Sequence, residues 1–120
     1  MFDKKTAEKI AEAIKDKIVH SEYEGKEISG IVCLSKDGDV LSVTIDRVGD
    51  AKHTELTKGR LCDKDVVQIS FHTHPTSGGG CPDFSSTDKE TIIERFEKGS
   101  DDGSCVGSIY GITCKFFKKQ

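Results

Sequence analysis

Between residues 66 and 98 the chain reads as one strand, one loop and one capped helix. In "VVQISFH" (66–72), Val67, Ile69 and Phe71 alternate with Val66, Gln68 and Ser70, as in a mostly buried strand. Residues 75–84 carry Pro75, three consecutive glycines and Cys81-Pro82, which make a loop. A second helix is expected over 87–98, with Ile92, Ile93 and Phe96 apolar. Thr87 with Glu90, or Ser85 with Asp88, would cap it.

The other elements follow by the same reasoning. Over 3–20, Ala7, Ile10, Ala11, Ile14 and Ile18 share one face of a helix that Asp3 or Thr6 could cap. Residues 21–26 form a polar connection with Gly25 at its turn. Strands are expected over 28–34 and 40–45, joined by the turn signal Lys36-Asp37-Gly38-Asp39. Residues 47–65 read as a long polar loop, 99–103 as a break, and 105–110 and 112–117 as two last strands. The order α, β, β, β, α, β, β argues for a mixed α/β or α+β domain over 1–120.

Net charge is −3, without a basic stripe bearing aromatics, so nucleic acid is not expected as a partner. No stretch is apolar enough to span a membrane, and the start lacks a signal-peptide pattern. The five cysteines are odd in number and form no C-x-x-C pair. A reducing, cytoplasmic location is the simplest expectation, with a disulfide left open as in thermophiles. Cys33, Cys105 and Cys114 are read as small core residues, and His20 and His53 as surface residues.

Residues two apart on a strand face the same way, so His72 and His74 can aim both imidazoles at one point. Zinc takes two histidine nitrogens and a carboxylate, and three protein ligands leave a fourth position for water. Asp88, at the start of a helix, is the preferred carboxylate, and Asp83 on the loop is its rival. The plain alternative is polar residues at a strand end and a capping aspartate. Thr73 should point to the opposite face, and Pro75 stiffens the strand exit.

"HTHP" (72–75) followed by Ser85 and Asp88, with Glu27 and Gly30 upstream in "EISGIVCL", resembles the JAMM motif of the MPN-domain metalloproteases. Residues 75–87, thirteen in all, form a longer spacer than that family's usual one, which keeps Asp83 open as a ligand. The resemblance implies a curved mixed sheet flanked by helices. It also implies Zn²⁺ held by His72, His74 and Asp88, Glu27 as general base, and Ser85 as donor to the oxyanion. Without it, Glu27 cannot be chosen over Glu22 and Glu24.

The activity implied is isopeptidase cleavage after the Gly-Gly tail of a ubiquitin-like or sulfur-carrier protein. The small prokaryotic or archaeal members are the most similar in size, and the tail would lie extended near a sheet edge. Two alternatives stand beside this: a non-catalytic MPN scaffold, and a zinc hydrolase of small peptide conjugates. Similar domains tied to DNA repair are disfavoured by the acidic balance. Cys81, on the loop, could serve as a fourth ligand or a redox switch, or have no role.

Overall fold

In a computed structural model, residues 4–50, 60–99 and 101–117 are described. His53 and Asp3 lie outside them, as does the side chain of Thr87. The elements run α1 (Lys4–Glu24), β1 (Ile28–Leu34), β2 (Val40–Val48), β3 (Val67–Thr73), a 3-10 turn (Thr76–Gly78), α2 (Ser86–Glu97), β4 (Gly103–Ser108) and β5 (Gly111–Phe116). The five strands make one open mixed sheet in the order β2-β1-β3-β4-β5, an α+β architecture. Only β3 and β4 pair in parallel, because α2 carries the chain back between them.

The two faces of the sheet differ in chemistry. Ile10 and Ile14 of α1 pack with Ile28, Val32, Leu34, Ile69, Phe71 and Cys105, all fully buried or nearly so. On β3 the intervening residues are Gln68, Ser70 and His72, and His72 meets Asp88 of α2. The α1 side of β3 is therefore apolar and the α2 side polar, as strand alternation requires. Ser70 donates to Ser104 across the parallel pair at 2.8 Å, which satisfies two buried hydroxyls.

Helix α1 runs four residues beyond the expected end at His20. The expectation of a connection from residue 21 fails because Ser21 is buried and bonded to the chain that follows. Its Oγ donates to the Lys26 carbonyl at 2.6 Å. Gly25, at φ 65°, then ends the helix in the left-handed conformation that glycine adopts without steric cost. β2 likewise continues to Val48, since Ile28 still has Val48 as a partner.

Four of the five cysteines are paired, which corrects the reading of Cys33, Cys105 and Cys114 as unlinked core residues. Cys33 bonds Cys62, and Cys105 bonds Cys114. The second pair sits directly across β4 and β5, where register brings the two residues opposite one another. Cys62 is held nearby because Gln68 Oε1 accepts the Leu61 and Cys62 N–H groups at 2.7 and 2.9 Å. Cys81 is free and exposed. No helix among the described residues is long and apolar enough to cross a membrane.

Candidate metal centre

The site lies at the end of β3 next to β4, outside the carboxyl ends of the parallel pair. Chain reversals leave such places open in α/β sheets. β3 ends at Thr73, and the next residue stays attached to the sheet: His74 N–H donates to the Gly107 carbonyl at 2.8 Å. That bond keeps the extended backbone going for one more residue. His72 and His74 therefore share a face, with their Nε2 atoms 3.1 Å apart.

The loop after Pro75 returns to the same point. A 3-10 turn at Thr76–Gly78 and positive φ at Gly79 and Gly80 fold it back. The Cys81 carbonyl then faces His74 Nδ1 at 2.7 Å. A carbonyl can only accept, so Nδ1–H donates to it, and in the neutral imidazole Nε2 is then the lone-pair nitrogen, the usual support for a metal-binding histidine. Thr113 of β5 donates to the Pro82 carbonyl and pins the far side of the loop. At its near side, Thr76 donates from both N–H and Oγ1 to the Glu22 carboxylate at the end of α1. These bonds pull the Glu22 pKa below its ordinary value.

α2 begins at the capping box formed by Ser85 and Asp88. Ser85 Oγ accepts the Asp88 N–H at 3.1 Å, and Asp88 Oδ2 accepts the Ser85 N–H at 2.8 Å. The same Oδ2 lies 3.1 Å from His72 Nε2 and 3.5 Å from His74 Nε2. The capping reading and the ligand reading of Asp88 therefore do not compete. Asp83 is exposed, and its Oδ1 accepts the Phe84 N–H at 2.7 Å.

Glu27 reaches the centre from the residue before β1. Its carboxylate and the two imidazoles form a group whose ligand atoms all lie within 4.8 Å of one another, and this group could hold a metal ion. Glu27 is buried, with 6% of its surface exposed. Of its rivals, Glu22 is committed to Thr76, and Glu24 is exposed. Gly30 has a packing reason. A Cβ there would lie 2.3 Å from the Thr44 carbonyl oxygen and 2.6 Å from the Phe71 ring.

The electrostatics follow from this crowding. The hydrogen bond to Asp88 raises the His74 pKa, against burial, and the Cys81 carbonyl and the Glu27 charge add to the rise. Burial pushes Asp88 upward, but hydrogen bonds from both histidines outweigh it and hold the carboxyl far below the usual carboxylate range.

The donor set can be tested against a metal by its spacing. A tetrahedral zinc with bonds of roughly 2.0–2.1 Å has ligand–ligand edges of roughly 3.3–3.4 Å. The triangle of two Nε2 atoms and Oδ2 has sides of 3.1, 3.1 and 3.5 Å. Three possible ligand atoms at that spacing suit a shared cation. No family model matches the chain, and no curated protein matches it in sequence.

Ser21, Glu22, Thr76 and the Cys81 carbonyl were not singled out as supports from sequence. Only Thr73 carried a signal, since alternation turns it away from the two histidines. It is buried on the α1 side, where it bonds Ser21.

Proposed function

We propose that the chain is a JAMM-type zinc metalloprotease. Its substrate class on this reading is an amide bond after the Gly-Gly tail of a ubiquitin-like or sulfur-carrier protein. The observation that carries the proposal is the triangle of His72, His74 and Asp88 with a buried Glu27 beside it. His72, His74 and Asp88 would be the three zinc ligands. Glu27 would stay off the metal as general base, because Asp88 already completes a set with tetrahedral spacing.

Zinc, when bound, supplies a Lewis acid that brings the pKa of a coordinated water toward about 7. Glu27, buried beside the two imidazoles, would accept the proton of an attacking water and return it to the leaving amine. Ser85 points its hydroxyl oxygen at the Asp88 N–H, so it accepts there and keeps its own proton to donate. On this reading that proton would be offered to the developing oxyanion, where one donor is worth about 2.7–4 kcal/mol. His74 is kept in the right tautomer by the Cys81 carbonyl.

A cytoplasmic location belongs to this proposal. Paired cysteines then have to persist inside the cell, as they do in intracellular proteins of hyperthermophiles.

The test uses purified protein with zinc content and cleavage of a Gly-Gly-tailed ubiquitin-like fusion as readouts. Glu27→Gln should keep zinc and lose cleavage, whereas Asp88→Ala should lose both. Zinc retained in Asp88→Ala but lost in Glu27→Gln would make Glu27 the third ligand and overturn the assignment. Zinc bound by the wild type with no hydrolysis of any Gly-Gly-tailed protein or peptide would favour the scaffold reading.

A further inference from the structure

The Glu27 backbone is fixed on both sides: all four polar groups of the two peptide units flanking its Cα are engaged. Its N–H donates to the Asp50 carbonyl at 2.6 Å, and its carbonyl accepts the Gly49 N–H at 2.8 Å. The Lys26 carbonyl accepts from Ser21 Oγ at 2.6 Å. The Ile28 N–H donates to Thr73 Oγ1 at 2.8 Å. Both peptide planes are thereby held, and with them the φ and ψ of Glu27.

Two of these four partners are hydroxyls, and they are bonded to each other. Thr73 Oγ1 donates to Ser21 Oγ at 2.6 Å. Each hydroxyl gives its proton once: Thr73 to Ser21, and Ser21 to the Lys26 carbonyl. Both residues are 1% exposed. Two hydroxyls in an otherwise apolar face cost stability unless fully bonded, and valine and alanine would fill the space without that demand. The register explains the need. The β1–β3 ladder starts at Ser29 and His72, so the Ile28 N–H lies beyond it and takes a side-chain acceptor instead.

We propose that Thr73 and Ser21 form a positioning relay that sets the Glu27 carboxylate against the two histidines. Thr73 sits between His72 and His74 in the chain. The residue that places the base is thus rigidly joined to the residues that hold the metal, and helix α1 locks the joint from behind through Ser21. This rests on the reading of Glu27 as base and of the histidine pair as ligands.

The test uses the full chain loaded with Co²⁺ in place of zinc, in wild type, Glu27→Gln, Thr73→Val, Thr73→Ser and Ser21→Ala. The visible spectrum is followed against pH. The expected result is one cobalt in every protein and a spectral midpoint displaced in Glu27→Gln. Thr73→Val should be displaced in the same direction, and Thr73→Ser should return to the wild-type midpoint. On a Gly-Gly peptide aminocoumarin amide, Thr73→Val should lower kcat by about a hundredfold with KM little changed.

A wild-type midpoint in both Thr73→Val and Ser21→Ala, beside a displaced Glu27→Gln, would overturn the relay and leave the metal site standing. No cobalt in the wild type would overturn the metal reading itself, and the relay with it. Ser21→Ala provides the same comparison if Thr73→Val does not fold, since it removes one hydroxyl and leaves the Ile28 partner in place.

Discussion

Asp88 Oδ2 accepts the Ser85 N–H at 2.8 Å and also faces both imidazoles, so one atom serves the helix start and the candidate metal centre. Substitutions separate the two roles. Asp88→Asn keeps an acceptor for the cap but loses the charge, and should weaken zinc binding by at least about 100-fold with little change in helix content. Ser85→Ala should leave zinc bound, lower thermal stability by about 0.5–2 kcal/mol and reduce turnover. Titration follows from the same contacts. The His74 pKa is raised above its ordinary 6.5. In metal-free protein its stabilisation is therefore fully present below about pH 6.5 and lost as pH rises through the folded value. Zinc competes with that proton, so zinc affinity should move the opposite way and fall as pH drops through the same range. Calorimetry of the metal-free protein with zinc titrations at several pH values checks both signs. His74→Ala should abolish the His74-dependent change in stability.

Elements with a clear period were legible in sequence, and those ended by tertiary contacts were less so. β1 falls over 28–34 as expected, because Ile28 and the apolar run 31–34 are bounded by polar residues. α2 begins and ends within one residue of expectation, since its cap is written in Ser85 and Asp88. α1 overruns because Ser21 and Glu22 bond residues distant in the chain, Thr73 and Thr76, and no local period reports that. The loop over 75–84 left the carboxylate ligand ambiguous in sequence. Its fold-back onto His74 and Thr113 brings Asp88 to the histidines. Gly30 is the element-scale test. Gly30→Ala would press a methyl group into the Thr44 carbonyl and the Phe71 ring, costing about 1–3 kcal/mol in denaturant unfolding. An unchanged midpoint would mean that β1 and β2 shift apart freely.

At the scale of the molecule, an apolar face carries the core under α1 and a polar face carries the candidate metal centre under α2. Sequence alternation on β3 conveyed that division. It did not convey the disulfides, because Cys105 and Cys114 meet only through the register of β4 and β5. Cys33 and Cys62 meet only through the chain segment anchored on Gln68. Reducing both bridges should remove about 2–4 kcal/mol each, read as a lower melting temperature in reductant, while zinc stays bound. The proposed function stands on His72 and His74 holding a metal together, and the metal content of purified protein, wild type beside His72→Ala/His74→Ala, tests this first. About one zinc per chain is expected in the wild type, by the three-ligand geometry of a single centre, and none in the double variant. A wild type that takes up no zinc when zinc is offered, or a double variant that still holds it, would rule the shared metal out.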